Sequence, residues 1–382
     1  MKLRFYILLL VLLINLLIGF TLRFGYEYQF SLAFYVFRIL GISIVIMLMV
    51  KMLMSVKDSE RSDRTKNLIL TIITLGVVFS TLEIAFMFVP RTHGGDKTLA
   101  SRVWYHYYWE NNSWWYRDSE PDSIAASTRT KIAIMGDSFV AGHGIKRVEQ
   151  RFSNILAQKM GDDFYVYNLA RNGSSTEDEF KGLEEYPIKP DLLILCHLPN
   201  DIAFIPTVEP EGAEILSAYI VGGSYLLNYF VFKFEEAGRK IAHRLYGREE
   251  EQEFVEYLKS GEAVTYHLAL FLDSVSLAEH EARLGQIADY CNEKNIKLGV
   301  VLFPEIWNET LNFSEEHVNL PLAKFFKARN VPSLDTYNLF KSLPEEERVV
   351  NFNDAHPSVA SHKLIADSLF LKLHSWGFLE KE

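Results

Sequence analysis

The chain has 382 residues, two of them cysteine, and a formal net charge of -10 at pH 7. That length holds a membrane anchor and one soluble domain with a sizeable core. The acidic balance, with no basic stripe, argues against a nucleic-acid partner. Cys196 and Cys291 stand outside any CxxC motif, which argues against a disulfide-built scaffold.

Three apolar runs open the chain, at about 5–22, 31–54 and 67–89. Each is long enough, at ~1.5 Å rise per residue, to cross ~30 Å of hydrocarbon. The first lacks a small-residue cleavage site and is followed by two more, so it reads as retained rather than as a cleaved signal. Lys2 and Arg4 precede the first run and Lys57, Arg61, Arg64 and Lys66 fill the second loop, whereas the first loop carries only Arg23. The positive-inside rule therefore predicts a cytoplasmic N-terminus and an extracytoplasmic chain after residue 90. Arg38 and Glu83 fall within the spans, each roughly 10 Å deep. Charges there are costly unless paired, and two readings stand: a pair between the second and third helices, or a snorkelling Arg38 with a protonated Glu83.

Residues 91–130 form an aromatic lead-in, WYHYYWENNSWWYRD, and a Ser-rich linker over 119–130. The rings either collar the bilayer surface or pack on the domain that follows. From Lys131 the pattern alternates. KIAIM, DFYVYNL, DLLILCH, KLGVVLF and VPSLD read as strands, with helices at about 149–160, 176–186, 270–294, 315–329 and 358–375. Apolar strands alternating with helices predict an α/β three-layer sandwich over 131–382 with a five-stranded parallel sheet. Residues 205–268 break the alternation and read as a helical insertion, either a structural cap or a substrate lid or membrane-contacting helix.

Parallel sheets carry their sites at the C-terminal strand ends. Those ends hold Gly136-Asp137-Ser138-Phe139, Asn172-Gly173-Ser174 and Pro199-Asn200-Asp201, and the last helix is preceded by Asp354-Ala355-His356-Pro357. Acyl transfer needs an activated hydroxyl, a base, an orienter for the base and donors for the oxyanion. Ser138 can supply the hydroxyl and its own N–H, His356 the base, Asp354 the orienter, Gly173 a backbone N–H and Asn200 a side-chain amide.

In this order and spacing the blocks GDSF, NLARNGSST, LPND and DAHPS resemble those of the SGNH, or GDSL-like, hydrolase superfamily, over about residues 100–382. The segment NNSWWYRDSE is similar to the lead-in of its membrane-anchored members. The resemblance implies a flavodoxin-like sheet, a catalytic Ser138, His356 and Asp354, and an oxyanion hole of Ser138, Gly173 and Asn200. Two positions depart from the pattern: Leu198 stands where the third block carries Gly, and Asn353 stands where the last block carries its Asp, so either Asp354 or Asn353 orients the base. Membrane-linked transferases of this kind often draw acyl groups through a multi-span partner.

Without HExxH or CxxC spacing, no metal or cofactor is expected. His143 and His197 lie near strand ends and are candidates to line the pocket, and His362 is expected to pack or be solvated. The expected function is a serine esterase acting on an acyl ester of a cell-envelope glycan or lipid. An O-acyltransferase modifying a surface polysaccharide and a non-catalytic envelope scaffold or glycan-binding module are the alternatives.

Overall fold

The structure, a computed structural model, describes residues 2–27, 32–57, 62–89, 99–203, 222–231, 265–351 and 354–380. The expected insertion over 205–268 and Asn353 therefore lie largely or wholly outside the described residues. The chain divides into two compact units, Met1–Tyr107 with Val208–Ile241, and Tyr108–Thr207 with Ala242–Glu382.

The first unit is built on α1 (Lys2–Glu27), α2 (Leu32–Lys57) and α3 (Asp63–Phe86), with α2 packed against both others. Among the described residues α2 and α3 are each long and apolar enough to cross a membrane, and α1 carries a shorter apolar stretch, Leu9–Arg23. The third helix starts and ends a few residues earlier than its apolar run, because extended Ser62 opens it ahead of Arg64 and Lys66. Large apolar residues of these helices such as Leu40, Met54 and Leu75 are exposed, which is consistent with a membrane anchor.

Arg38 and Glu83 are both buried and form an ion pair through Arg38 Nη2 and Glu83 Oε1. The pair does more than neutralise two charges. Glu83 also accepts from Ser224 Oγ at 2.7 Å, Tyr225 N at 2.7 Å and Leu226 N at 3.0 Å. Arg38 donates to Gly223 O at 2.9 Å. A helix leaves its first N–H groups without intrahelical partners, and here a carboxylate fills that role for the helix over 225–231. Asn228 Oδ1 then accepts from Leu99 N at 2.8 Å.

In the second unit five parallel strands run β2-β1-β3-β4-β5: β1 (Thr130–Gly136), β2 (Phe164–Ala170), β3 (Leu192–His197), β4 (Lys297–Leu302) and β5 (Ser333–Asp335). The alternation of side chains along each strand separates two cores. Ala133, Met135, Leu193, Leu195, Leu298 and Val300 face one, which includes the Ser274–Glu293 helix. Ile132, Ile134, Ile194, Cys196 and Val301 face the other, closed by the Phe152–Met160 and Val359–Ser375 helices. This is the three-layer α/β architecture, and it sets Cys196 and Cys291 in different cores. The sequence pattern does not reveal the added antiparallel pair β6 (Val349–Asn351) and β7 (Asp354–Pro357).

The aromatic lead-in packs its rings: Tyr116 and Trp114 belong to the first core. Within 119–130 a short helix, Ser123–Ser127, starts at Asp122, which accepts from Ile124 N and Ala125 N. His362 is fully buried, accepts from Phe152 N at 3.2 Å and stacks on the Phe152 ring. Burial, reinforced by Arg151, Arg117 and His356, pushes its pKa down to about 3.

Two expectations follow. Arg38→Gln and Glu83→Gln should each cost about 3–5 kcal/mol, and together little more than either alone; thermal unfolding of the detergent-solubilised chain measures this, and additive losses would show that the charges act separately. His362 is neutral in the folded chain, whereas below about pH 6.5 the unfolded chain protonates it. Its contribution is therefore intact above pH 6.5 and lost as pH falls toward 3. His362→Gln should remove up to about 1 kcal/mol per pH unit of acid sensitivity in that window, read from denaturant unfolding at pH 7, 6 and 5.

Candidate active site

The ends of β1, β2 and β3 and the β7 strand carry the polar groups singled out in the sequence. β1 stops at Gly136, where a Cβ would lie 2.8 Å from Cys196 O and 2.5 Å from a Val140 methyl, so only glycine lets the chain turn against β3. Asp137 then caps the four-residue helix Ser138–Ala141, accepting from Phe139 N at 3.0 Å. Gly142, at φ 73°, ends that helix.

Ser138 and His356, 218 positions apart, meet with Oγ and Nε2 at 2.9 Å. His356 Nδ1 lies 2.5 Å from Asp354 Oδ1, and the same oxygen accepts from His356 N at 3.1 Å. A carboxylate only accepts. Nδ1 therefore carries the ring proton and Nε2 presents its lone pair to the serine. Asp354 is fully buried, while the His356 side chain is 19 % exposed. This is the arrangement in which a hydroxyl can pass its proton to an imidazole held in one tautomer.

Asp137 Oδ2 is shared. It lies 3.1 Å from Ser138 Oγ and accepts from Asn200 Nδ2 at 2.9 Å. Asn200 is thus held beside the serine, with its own Oδ1 buried and without a partner among the described residues. Its turn is fixed by Asp201, which accepts from Leu198 N at 2.7 Å. Leu198 adopts φ -121°, an extended conformation open to any residue, and its side chain joins the second core. That accounts for the absence of glycine there. Gly173 adopts φ 72°, and a Cβ on it would meet nothing within 4 Å. Its need for glycine is conformational rather than one of close approach. The loop then enters the Thr176–Glu185 helix through a capping box between Ser175 and Asp178.

His143, four residues past the Ser138–Phe139 step, belongs to this cluster. Its ring centroid lies 4.1 Å from that of His356, tilted by 30°. Its Nδ1 is 3.0 Å from Asn172 Nδ2 and its Nε2 is 3.9 Å from Asp354 Oδ2. The amide donates, so Asn172 places the His143 proton on Nε2, facing the carboxylate. His197 is elsewhere: it is buried with Nε2 at 2.8 Å from His280 Nε2. Burial lowers both, His280 to about 3, and the pair is a neutral core contact. Behind Asn200, burial raises the carboxyls of Glu179 and Asp201 well above their usual range, with Asp201 and Asp137 adding to the shift on Glu179 and Asp137 to that on Asp201.

Two residues that sequence reasoning did not single out hold the loop after Ser138. Buried Arg117 donates to Gly142 O at 2.5 Å and Ile145 O at 2.6 Å. Buried Arg151 bonds Asp118 Oδ1 at 3.0 Å and also donates to Arg117 O, while Asp118 Oδ2 accepts from Asn168 N at 2.8 Å. The signal was the Tyr-Arg-Asp run inside the aromatic lead-in. His143, Asp354 and His356 also have ligand atoms within 4.8 Å of one another. A cation there would have to displace the bond between Asp354 and His356.

No protein-family model matches the chain. No curated protein matches it. Among solved structures it is similar to a psychrotrophic esterase from Pseudoalteromonas sp. inhibited by monoethylphosphonate, with 12 % identity, 65 % of this chain and 98 % of that one covered, and a TM-score of 0.36. It is also similar to a member of the lipolytic G-D-S-L family from Veillonella parvula (15 %, 64 % and 98 %, 0.36) and to a lipase/acylhydrolase from Enterococcus faecalis (15 %, 66 % and 98 %, 0.36). At these values the chemistry rests on the geometry above.

If His143 positions His356 through ring contact, His143→Ala should slow fluorophosphonate labelling of the chain about 10- to 100-fold, and His143→Phe should restore most of the rate. Equal rates in all three proteins would reduce His143 to packing.

Proposed function

We propose that this protein is a serine ester hydrolase carried on a membrane anchor, with its catalytic unit outside the cytoplasm. The observation that carries the reading is the run of short contacts from Ser138 Oγ through His356 to Asp354, at 2.9 and 2.5 Å. In this reading Ser138 Oγ attacks the acyl carbonyl as its proton passes to His356 Nε2. The tetrahedral oxyanion is met by the Asn200 amide and by the backbone N–H groups of Ser138 and Gly173. The imidazolium returns the proton to the departing alcohol. Water, deprotonated by the same imidazole, then releases the acid from the acyl-serine and restores the hydroxyl. Asp354 steadies the imidazolium at each stage.

The substrate class follows from the anchor and the site together. An acyl ester, acetyl or longer, on an envelope glycan or lipid is within reach of an enzyme tethered at the membrane. If a sugar hydroxyl takes the place of water, the same residues transfer the acyl group to a polysaccharide.

A fluorophosphonate probe should label the wild-type chain and fail on Ser138→Ala. His356→Ala and Asp354→Asn should slow labelling by about 10²-fold or more. An unlabelled wild type would return the chain to a scaffold. With p-nitrophenyl esters of increasing length the preferred acyl group emerges, and an added sugar acceptor that gains the acyl group marks transfer.

A further inference from the structure

The first unit contains a partly open cavity of about 380 Å³ among α1, α2, α3 and the helix over 225–231, within the range of small-molecule sites. Its walls include Ile18, Ile42, Val45, Met49, Phe79 and Leu227. The residues contributed by α2 are Arg38, Ile42, Val45 and Met49, one helical face over three turns. Arg38 therefore stands at one end of an apolar row that extends roughly 16 Å to Met49. From α3 come Gly76, Phe79, Ser80 and Glu83, with the carboxylate again terminal. The cavity is long, apolar along its length and polar at one end.

The polar end has a defined chemistry. Glu83 is occupied by Arg38, Ser224 and the N–H groups of Tyr225 and Leu226. Arg38 uses Nη2 on Glu83 and Gly223 O, and Nη1 points at Leu17 O at 3.5 Å. Its Nε–H is buried and has no partner among the described residues. A buried guanidinium donor left unpaired is costly, and in an apolar cavity no water is at hand to satisfy it. Because Arg38 and Glu83 neutralise each other, the end calls for a neutral acceptor. A free fatty acid would set a second carboxylate against Glu83. An ester carbonyl at the head of a hydrocarbon chain meets both demands.

We propose that this cavity binds one fatty-acyl tail of an ester-linked phospholipid, its ester carbonyl accepting from Arg38 Nε–H. The proposal rests on the reading of the N-terminal helices as a membrane anchor. Gly223, Ser224 and Leu227 also line the cavity, so the start of the helix over 225–231 forms part of its wall.

The test uses the full chain in detergent and native mass spectrometry. Wild type incubated with palmitoyl-oleoyl phosphatidylglycerol should retain one lipid per chain. The ether-linked analogue, which lacks the carbonyl, should be held about tenfold more weakly. Ser80→Phe, which fills the cavity, should lose the lipid while keeping the wild-type thermal unfolding curve, and Ser138→Ala should keep it. If alkaline carbonate releases the wild-type chain from membranes, the anchor reading fails and the site with it. If the chain stays in the membrane fraction but holds ester and ether lipids equally, or Ser80→Phe binds as wild type does, the cavity proposal is overturned and the anchor stands.

Discussion

The candidate site depends on a single buried carboxylate. Asp354 is fully buried and accepts from both the ring and the backbone N–H of His356 through Oδ1. A buried carboxylate is tolerable only when such donors compensate it. The compensation fixes the imidazole: with Nδ1 engaged, Nε2 has one direction left, and Ser138 Oγ lies along it at 2.9 Å. The antiparallel pair β6–β7 makes this possible by giving the Asp-Ala-His step an extended backbone, so that residues 354 and 356 project to the same side. Asp354 can act two residues ahead of the histidine because the strand brings the two side chains together.

A second carboxylate organises the other half of the site. Asp137 caps the short helix, contacts the Ser138 hydroxyl and holds Asn200 Nδ2. The serine hydroxyl has one proton and two acceptors, Asp137 Oδ2 at 3.1 Å and His356 Nε2 at 2.9 Å. Asn200 already donates to the same Asp137 oxygen, which makes that oxygen the weaker competitor. The Asp137 carboxylate thus holds the Asn200 amide beside Ser138, while His356 Nε2 is the nearer acceptor for the hydroxyl.

The sheet was legible because each strand is an apolar run bounded by Gly, Pro or Asp, and parallel strands covered on both faces have no polar alternation to obscure them. The positions of Ser138, Gly173 and Asn200 just past β1, β2 and β3 were legible because strand ends are where such a sheet exposes polar groups, and His356 was legible from its place before the last helix. The β6–β7 pair was not, since Val349–Asn351 and Asp354–Pro357 are too short to show a period. His143 and its contact with Asn172 were visible only as a weak candidate, because the contact joins two loops with no local pattern. Arg117 and Arg151 were hidden for another reason: a charged residue next to one aromatic reads as surface, and only the fold shows that backbone carbonyls await it. Of the two readings open for Arg38 and Glu83, the structure has the pair, and the helix N-terminus that the carboxylate also serves lies 141 residues further along the chain.

Both units meet the same physical problem in the same way. Irregular backbone in a buried place leaves carbonyls and N–H groups that secondary structure cannot satisfy. In the α/β unit the turn after Ser138 leaves Gly142 O and Ile145 O, and Arg117 takes both. In the helical unit the break before the 225–231 helix leaves Gly223 O and the N–H groups of Tyr225 and Leu226, and the Arg38–Glu83 pair takes all three. Guanidinium suits this task because its five N–H groups fan out in a plane and stay charged when buried. The same geometry carries a consequence that differs between the two places. The Arg117 guanidinium packs 4.5 Å above the Trp109 ring, which engages the cation face-on. Arg38 has Tyr225 at 5.3 Å on one side and an open apolar cavity beside it, and that difference is why the first arginine is a strut and the second is the polar end of a binding site.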